Sequence, residues 1–160
     1  MEDLIKNEPV QRVIKFLALK DNSLKVKFLN NTAKTAKEAA DSLKCHEGAI
    51  VKSLLLKTED DFIICLVSGD KRCSLNKLKK TLNKKDISMA NAKDVKDKTG
   101  FSIGGVSPVA HITKLEVIID KSLNRFPLIF AAAGHPNSIF EITYKKLVNI
   151  TNGLEKDVSE

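Results

Sequence analysis

Residues 101–111, FSIGGVSPVAH, combine amino-acid types that suit the binding of an anion. Gly104 and Gly105 can adopt positive φ and let another molecule approach the bare backbone. Pro108 fixes its own φ, lacks an N–H group and favours extended geometry at Ser107. We therefore predict a rigid loop whose N–H groups, beside a hydroxyl, suit a carboxylate, a phosphate or a developing oxyanion. The alternative interpretation of the same residues is a plain turn between two strands.

A second candidate is Lys52, which lies in the apolar segment GAIVKSLLLK, residues 48–57. In a strand, its side chain shares one face with Ile50, Leu54 and Leu56. A lysine among apolar neighbours on a central strand is costly unless its ammonium group has a partner or reaches water. Two interpretations follow. The side chain extends to the edge of the sheet, or its ammonium group holds an anion such as a phosphate in a pocket.

Among the three histidines, His135 is the one whose position suggests a functional role. His135 lies between Gly134 and Pro136, after an apolar strand and a run of small residues that leaves room beside its ring. His111 is interpreted as a strand residue and His46 as a loop residue. A functional role and an incidental loop position are both open for His135.

The cysteines Cys45, Cys65 and Cys73 form no CxxC pair and cannot all pair with one another. This usage fits reduced thiols in the cytoplasm. Together with the small number of histidines it argues against a zinc site, and we expect no metal. A thiol hydrolase that pairs Cys65 or Cys73 with a histidine is a further hypothesis, although no spacing selects such a pair.

The chain has 160 residues, of which 42% are hydrophobic and 29% charged, as in a folded globular domain. No apolar run approaches the ~18 residues of a membrane span, and the N-terminus lacks the apolar core of a secretion signal. The net charge of +7 favours a polyanionic partner such as nucleic acid. A lysine-rich background is the alternative explanation, because only three of the 27 basic residues are arginine.

Hydrophobic periodicity predicts the elements that position these residues. Helices are predicted over residues 9–20, 32–43, 74–82, 92–98 and 144–150, and strands over 24–29, 48–57, 62–67, 87–90, 115–120, 128–133 and 138–141. The polar tail, residues 154–160, is expected to be frayed. Because hairpin connections outnumber βαβ units, we predict an α+β domain with a mixed, largely antiparallel sheet surrounded by helices. No dinucleotide-binding or P-loop motif occurs.

The order IVKSLLL, GGVSP and AAGHP, followed by a helix and a terminal NG, resembles the YbaK-like aminoacyl-tRNA deacylases. These are related to the editing domain inserted in bacterial prolyl-tRNA synthetases. The specific parts of the resemblance are Lys52 in its strand and the G-x-x-x-P element from Gly104 to Pro108. It implies one editing domain over residues 1–160, with a core at about 31–153 and a compact, barrel-like mixed sheet.

The resemblance also implies an activity without metal or cofactor, namely hydrolysis of the ester that joins a wrong amino acid to the 3′-terminal adenosine of tRNA. The expected partners are a mischarged tRNA and, as an option, an aminoacyl-tRNA synthetase. The positions that match the family's motifs fall into two groups. Catalytic roles are implied for Lys52, Gly104 and Gly105, and substrate-binding roles for Ser107, Pro108, Gly134 and His135.

This activity is consistent with the residues present. An aminoacyl ester is already activated, so it needs positioning, a water molecule and donors for the oxyanion rather than a side-chain nucleophile. The loop of residues 101–111, called the glycine loop below, can supply such donors through its main chain. The alternative is a non-catalytic module that binds tRNA or a synthetase in the same cleft, because no strong general base is evident. Alanine, serine, threonine and cysteine remain open as the amino acid removed.

Overall fold

The computed structural model of the chain describes residues 2–160, which contain six α-helices and eight strands. The helices are α1 (Glu2–Ile5), α2 (Glu8–Lys20), α3 (Ala36–Leu43), α4 (Leu75–Leu82), α5 (Ala92–Thr99) and α6 (Tyr144–Thr151). The strands are β1 (Val26–Phe28), β2 (Val51–Thr58), β3 (Phe62–Ser68), β4 (Ile87–Met89), β5 (Glu116–Asp120), β6 (Ile129–Ala132), β7 (Ser138–Ile142) and β8 (Leu154–Lys156). No helix in this part of the chain has the length and apolar character required to cross a bilayer.

The strands form two sheets. The larger has the order β4-β2-β3-β5-β8, antiparallel from β4 to β3 and parallel from β3 to β8. The smaller is antiparallel and has the order β1-β7-β6. A parallel bridge between Ile50 and Phe130 links the two. The predicted α+β class and mainly antiparallel pairing are confirmed. A closed barrel is not confirmed, because the two sheets meet only at this bridge.

Strand β3 lies at the centre of the larger sheet and is covered on both faces. Its residues Ile64 and Leu66 belong to the larger apolar core. Ile63, Cys65 and Val67 point the other way and belong to a second core beneath α4. A strand buried on both faces has a continuous apolar sequence rather than an alternating one. The sequence FIICLV therefore predicts this central position correctly.

Helix boundaries follow the capping residues. Ser74 and Asn91 are the N-caps of α4 and α5, and each side chain accepts a hydrogen bond from the N–H three residues on. Gly100 ends α5 with a φ of 80°. Each of the three is a residue type that favours a helix end, so these boundaries follow from the sequence.

Helix α3 begins at Ala36, four residues later than predicted. Its N-cap is Thr35, whose hydroxyl accepts a hydrogen bond from the N–H of Glu38. The Glu38 carboxylate in turn accepts from the N–H of Lys34. This is a variant of the reciprocal capping arrangement, and it leaves the preceding residues outside the helix.

The C-terminal tail is ordered, so the prediction of a frayed end is wrong. Strand β8 pairs in parallel with β5, and Val158 is fully buried. Asp120, 1% exposed, accepts hydrogen bonds from the Val158 N–H and the Ser159 hydroxyl, both at 2.8 Å. It also accepts from the Ser122 N–H. The buried carboxylate at the end of β5 therefore fixes the tail.

We expect Asp120→Ala to destabilise the protein by about 1–3 kcal/mol, because it leaves buried donors without an acceptor. Urea unfolding measures the change, and amide exchange should rise selectively in residues 154–160. Burial raises the pKa of Asp120, but hydrogen bonds from Ser122, Val158 and Ser159 outweigh it and hold that pKa below its ordinary value. The contribution is therefore present at neutral pH and disappears as the pH falls through the lowered folded-state pKa.

The control for this experiment is Asp157→Ala, whose side chain is 75% exposed in its ion pair with Lys77. Its effect should stay within about 0.5 kcal/mol. Equal effects of the two substitutions would show that Asp120 does not anchor the tail.

Candidate active site

A cavity of about 400 Å³ lies between the edges of the two sheets. Its walls come from β2, β6, the start of α3, the segment between β4 and α5, and the glycine loop that follows α5. Apolar side chains such as Val51, Leu55, Val95 and Ile139 form most of the surface. The cavity therefore offers a mainly apolar compartment with a few polar groups at defined places.

The cavity exists because β2, which pairs with β3 on one side, lacks a neighbouring strand on its other side along half of its length. Strand β4 pairs with β2 only at Leu56–Thr58, and the Ala90 N–H extends this pairing to the Leu55 carbonyl. Strand β6 reaches β2 only at the Ile50 bridge. Main-chain groups alternate in direction along a strand, so those of Ser53 point to the same side as those of Leu55. They face the gap.

The Ser53 side chain is the second polar group in this gap. Its hydroxyl oxygen is buried and has no hydrogen-bond partner within residues 2–160. An unpaired buried hydroxyl costs about 1–3 kcal/mol. Ser53 is absent from the site residues predicted above, although a small polar residue between Val51 and Leu55 on an apolar strand face is itself an indication of a polar site. Ser53 therefore joins the site as a group that a ligand can satisfy.

Lys52 lies where the cavity meets a neighbouring depression formed by residues 69–73. Its side chain is half-buried, and its ammonium group donates a hydrogen bond to the Lys71 carbonyl. Burial lowers the pKa of Lys52, while the Cys73 thiol and the carboxylates of Glu47 and Asp70 oppose that effect. An ammonium group has three donors, so Lys52 keeps two for a ligand.

The glycine loop approaches the cavity at Gly104, which has a φ of +95° and lines its wall. At Gly105 no side chain fits, since a Cβ would lie 2.9 Å from the His135 nitrogen and 3.0 Å from the Gly134 carbonyl carbon. The motifs GGVSP and GHP are thus in direct main-chain contact. The structure brings Lys52 and Gly104 to one cavity and places Gly134 and His135 behind the loop.

Ser107 and Pro108 lie on the far side of the loop and do not line the cavity. Ser107 is fully buried; its hydroxyl accepts from the Val109 N–H, and its carbonyl accepts from His111 Nε2 at 2.8 Å. Pro108 packs beside His111 in a depression that opens elsewhere on the surface. This placement favours support of the loop, and the substrate-binding roles expected of the two residues stay predictions.

His135 is held by its own loop. Its Nδ1 accepts a hydrogen bond from the Asn137 N–H at 3.0 Å, so in the neutral ring the proton is on Nε2. Burial lowers the pKa of His135, and the nearby charge of Lys34 lowers it further. Gly134 has a φ of +98°, and a Cβ there would lie 2.9 Å from the Pro9 carbonyl. A neutral imidazole with a free N–H donor therefore lies next to the glycine loop.

A family model for the aminoacyl-tRNA editing domain matches residues 30–150, which include Lys52, the glycine loop and His135. The chain belongs to this editing family. The resemblance inferred from IVKSLLL, GGVSP and GHP is thereby confirmed. The match begins after α2, so the N-terminal helices of the editing protein lie outside it.

Sequence similarity to individual proteins supports membership of this family. YwhH of Bacillus subtilis is 36% identical over 114 residues, covering 71% of this chain and 72% of YwhH. A proline–tRNA ligase of Kosmotoga olearia is 34% identical over 87 residues, but only 15% of its length is covered. EbsC of Enterococcus faecalis, named as a candidate Cys-tRNA(Pro)/Cys-tRNA(Cys) deacylase, is 25% identical, with 74% of this chain and 73% of EbsC covered.

A solved structure extends the similarity to nearly the whole chain. It is the crystal structure of a candidate trans-editing enzyme for prolyl tRNA synthetase, with a TM-score of 0.91 and 35% identity. The superposition covers 96% of this chain and 98% of the other. The likeness therefore extends into helix α2, which the family model omits.

The cysteines of the editing domain form no Cys–His pair. Cys65 and Cys73 lie with their sulfur atoms 3.9 Å apart, and burial raises the pKa of Cys45. In residues 2–160 the rings of His46, His111 and His135 form hydrogen bonds only with main-chain groups. The thiol-hydrolase hypothesis therefore gains no support from the geometry. Within the same residues no group of three His, Cys, Asp or Glu side chains is placed to hold a metal ion.

We expect the pKa of His135 to lie below its ordinary value and to rise in Lys34→Met, because removal of a nearby cation favours the protonated ring. A proton NMR titration of the imidazole measures both values. Lys37→Met, an exposed change on α3, is the matched control and should leave the pKa in place. If the pKa of His135 is the same in Lys34→Met as in the parent, the Lys34 charge does not act on the His135 ring.

Proposed function

We propose that this editing domain is a trans-acting aminoacyl-tRNA deacylase that hydrolyses the ester of mischarged tRNA in the cytoplasm. The observation that carries the proposal is the mainly apolar cavity at the free edge of β2, with the glycine loop on one side and Lys52 at its rim. We also propose that residues 1–160 form a single editing domain with its core at about 31–153.

In this proposal the amino acid of the substrate lies in the cavity, and the nucleotide lies outside it. Small-molecule pockets enclose roughly 300–1,000 Å³, so a cavity of about 400 Å³ is large enough for the amino acid of the ester, which we place there. The ribose and base then lie outside, towards the depression that shares Lys52, Leu54 and Met89 with the cavity. Met89 and Ile103 are 55% and 65% exposed at this mouth, where they offer apolar contact to a base.

The polar groups are suited to a reaction that develops negative charge. The main chain at Gly104, which has no side chain, can approach the ester carbonyl, whereas the Gly105 N–H is bonded to the Ser102 carbonyl. Loss of one oxyanion donor typically costs about 2.7–4 kcal/mol of barrier. The two remaining donors of Lys52 suit the ester oxygens or the 3′-terminal phosphate. The Ser53 hydroxyl and main chain lie beside the same space and suit the polar groups of the amino acid.

The water is activated without a nearby carboxylate in this proposal. The cavity wall described above contains no Asp, Glu or His side chain within residues 2–160. We assign this role to the neighbouring ribose hydroxyl of the tRNA, which reaches the ester by its own connectivity. Binding without hydrolysis is the second candidate function, and the same lack of a general base favours it.

Action in trans is supported by the lengths of the alignments. The similar candidate trans-editing protein is covered over 98% of its length, whereas the proline–tRNA ligase is covered over 15%. The relationship to the ligases makes an aminoacyl-tRNA synthetase a possible partner. The amino acids to be tested are alanine, serine, threonine and cysteine.

The decisive experiment is a deacylation panel of these amino acids on cognate and non-cognate tRNAs with purified protein. We expect at least one mischarged tRNA to be hydrolysed, and Lys52→Ala to lower kcat/KM by roughly 10²-fold, similar to loss of an oxyanion donor. Lys57→Ala, an exposed change on the same strand, is the matched control.

The outcomes of this panel separate the candidate functions. Tight binding of tRNA with no hydrolysis of any ester would leave the binding module as the function. Hydrolysis by Lys52→Ala at the parent rate would remove Lys52 from the reaction while leaving the deacylase in place.

We further expect the affinity for tRNA to fall as the salt concentration rises, with a linear dependence of log K on log[salt]. The reason is that lysine contacts to phosphates release counterions from the nucleic acid. Fluorescence anisotropy with labelled tRNA between low and physiological salt measures the slope. An affinity that is independent of salt would contradict a role for the net charge of +7 in binding.

A further inference from the structure

We propose that Arg12 is a positioning residue for deacylation, which holds both ends of the glycine loop so that Gly104 stays at the cavity. The inference rests on the proposed function. It concerns helix α2, which lies before the residues matched by the family model.

The guanidinium group of Arg12 joins two points that flank the loop. Its Nε donates to the Ala110 carbonyl at 2.8 Å, and its Nη2 donates to the Thr99 carbonyl at 3.2 Å. Thr99 is the last residue of α5, before the loop, and Ala110 follows the loop's proline. A single side chain therefore fixes the entrance and the exit of the segment that carries both glycines.

Further contacts limit the freedom of the guanidinium plane. It lies 4.6 Å from the centroid of the Phe101 ring, inside the loop, and its outer edge forms an ion pair with Glu8 at 2.8 Å. The Arg12 side chain is 21% exposed, whereas that of Glu8 is 74% exposed. Because the Glu8 contact is largely in solvent, the inner contacts with the loop are the ones that carry the positioning.

The loop pairs with no strand, and its main-chain bond from the Gly105 N–H to the Ser102 carbonyl is internal to it. Its ends are also joined by the bond from the Ile112 N–H to the Thr99 carbonyl, and the buried Phe101 ring anchors its first part. Arg12 adds a contact near the exit at Ala110, whose φ of +63° is a conformation that residues with a Cβ rarely adopt. The hydrogen bond from Arg12 to the Ala110 carbonyl holds the chain at this strained residue.

Helix α2 is a suitable base for the contact. Val10, Val13 and Leu17 on its inner face are fully buried, so the helix is anchored in the structure. At its first turn Pro9 abuts Gly134, where no Cβ would fit. The same helix thus touches the GHP segment and, through Arg12, the glycine loop, and it sets their relative position.

Lysine cannot replace arginine in this role. The planar guanidinium presents its donors in a fixed fork and stacks on an aromatic ring, whereas an ammonium group is a compact charge. Only one of the two carbonyls is then held. The chain has only three arginines among its 27 basic residues. At position 12 the planar group is needed to reach the Ala110 and Thr99 carbonyls together.

The test compares Arg12→Lys and Arg12→Ala with the parent in single-turnover deacylation at saturating protein. We expect the rate to fall roughly 10- to 100-fold, since a small misplacement of positioned groups has effects of this size. The Kd for uncharged tRNA should stay unchanged, because phosphate contacts supply most of that affinity. Ethylguanidinium should restore part of the Arg12→Ala rate, and ethylammonium should not.

Two controls distinguish positioning from general loss of structure. Glu8→Gln removes the exposed ion pair but keeps the two carbonyl contacts, so it should retain the parent rate. Hydrogen exchange in Arg12→Ala should increase in residues 100–110 and not in β3 or β5. Increased exchange across the whole protein would assign Arg12 to stability alone and overturn the proposal.

The remaining outcomes separate this inference from the proposed function. A parent that hydrolyses mischarged tRNA together with an Arg12→Lys variant that does so equally well would overturn the role of Arg12 and leave the deacylase intact. A parent that hydrolyses no ester would remove the proposed function, and with it the positioning role. In that case the exchange experiment would still report whether Arg12 fixes the loop.

Discussion

The unpaired stretch of β2 is the constraint on which the rest of the site depends. Strands in a sheet interior normally exhaust their main-chain donors and acceptors on both sides, and an uncovered edge invites pairing with another chain. Here β4 stops at the level of Leu55, and β6 joins only at Ile50. The intervening edge is covered by the start of α3 and by the glycine loop instead of by a strand. An internal space with main-chain groups at its wall is the direct result.

Two arginines stabilise the flanks of this space in similar ways. Arg125 forms an ion pair with Asp70 at 2.6 Å and donates to the Ser68 hydroxyl at 2.9 Å, and it holds the pKa of Asp70 below its usual range. Asp70 directly precedes Lys71, whose carbonyl accepts the Lys52 ammonium. On the opposite flank, Arg12 bonds to the carbonyls around the glycine loop. Each guanidinium thus fixes an irregular segment, a use for which its planar fork of donors is suited.

The sequence predicted those parts of the fold that depend on local pattern. Caps such as Ser74 and Asn91, and the central position of FIICLV, follow from residue type and periodicity over a few positions. Lys52 was identifiable because a charged residue conflicts with its apolar strand. The ordered tail was not, since its partner Asp120 lies 38 residues away from Val158 and no local pattern records that contact.

Among the cavity residues too, some could be predicted from local sequence and others depend on contacts between distant segments. Gly104 was predictable from composition, but the inward burial of Ser107 and Pro108 depends on which way the loop turns over α2. Ser53 is a small polar residue on an apolar face and so carries a local signal, whereas Arg12 is not unusual in its own helix. Their importance comes from a missing strand beside one and a distant loop beside the other, and only three-dimensional pairing determines these.

The arrangement also bears on how a small domain can discriminate between amino acids. An apolar site separates side chains that differ by one methylene by only about 1–3 kcal/mol, so a second site must act on a different criterion. A cavity walled by β2, β6 and helix residues can exclude larger side chains by size, since a close-packed interior resists expansion. Main-chain groups at the wall suit such a cavity because they add no side-chain volume of their own. The two glycines then differ in use: Gly104 lines the cavity without a side chain, whereas the missing Cβ of Gly105 lets the loop pack against the main chain of Gly134 and His135.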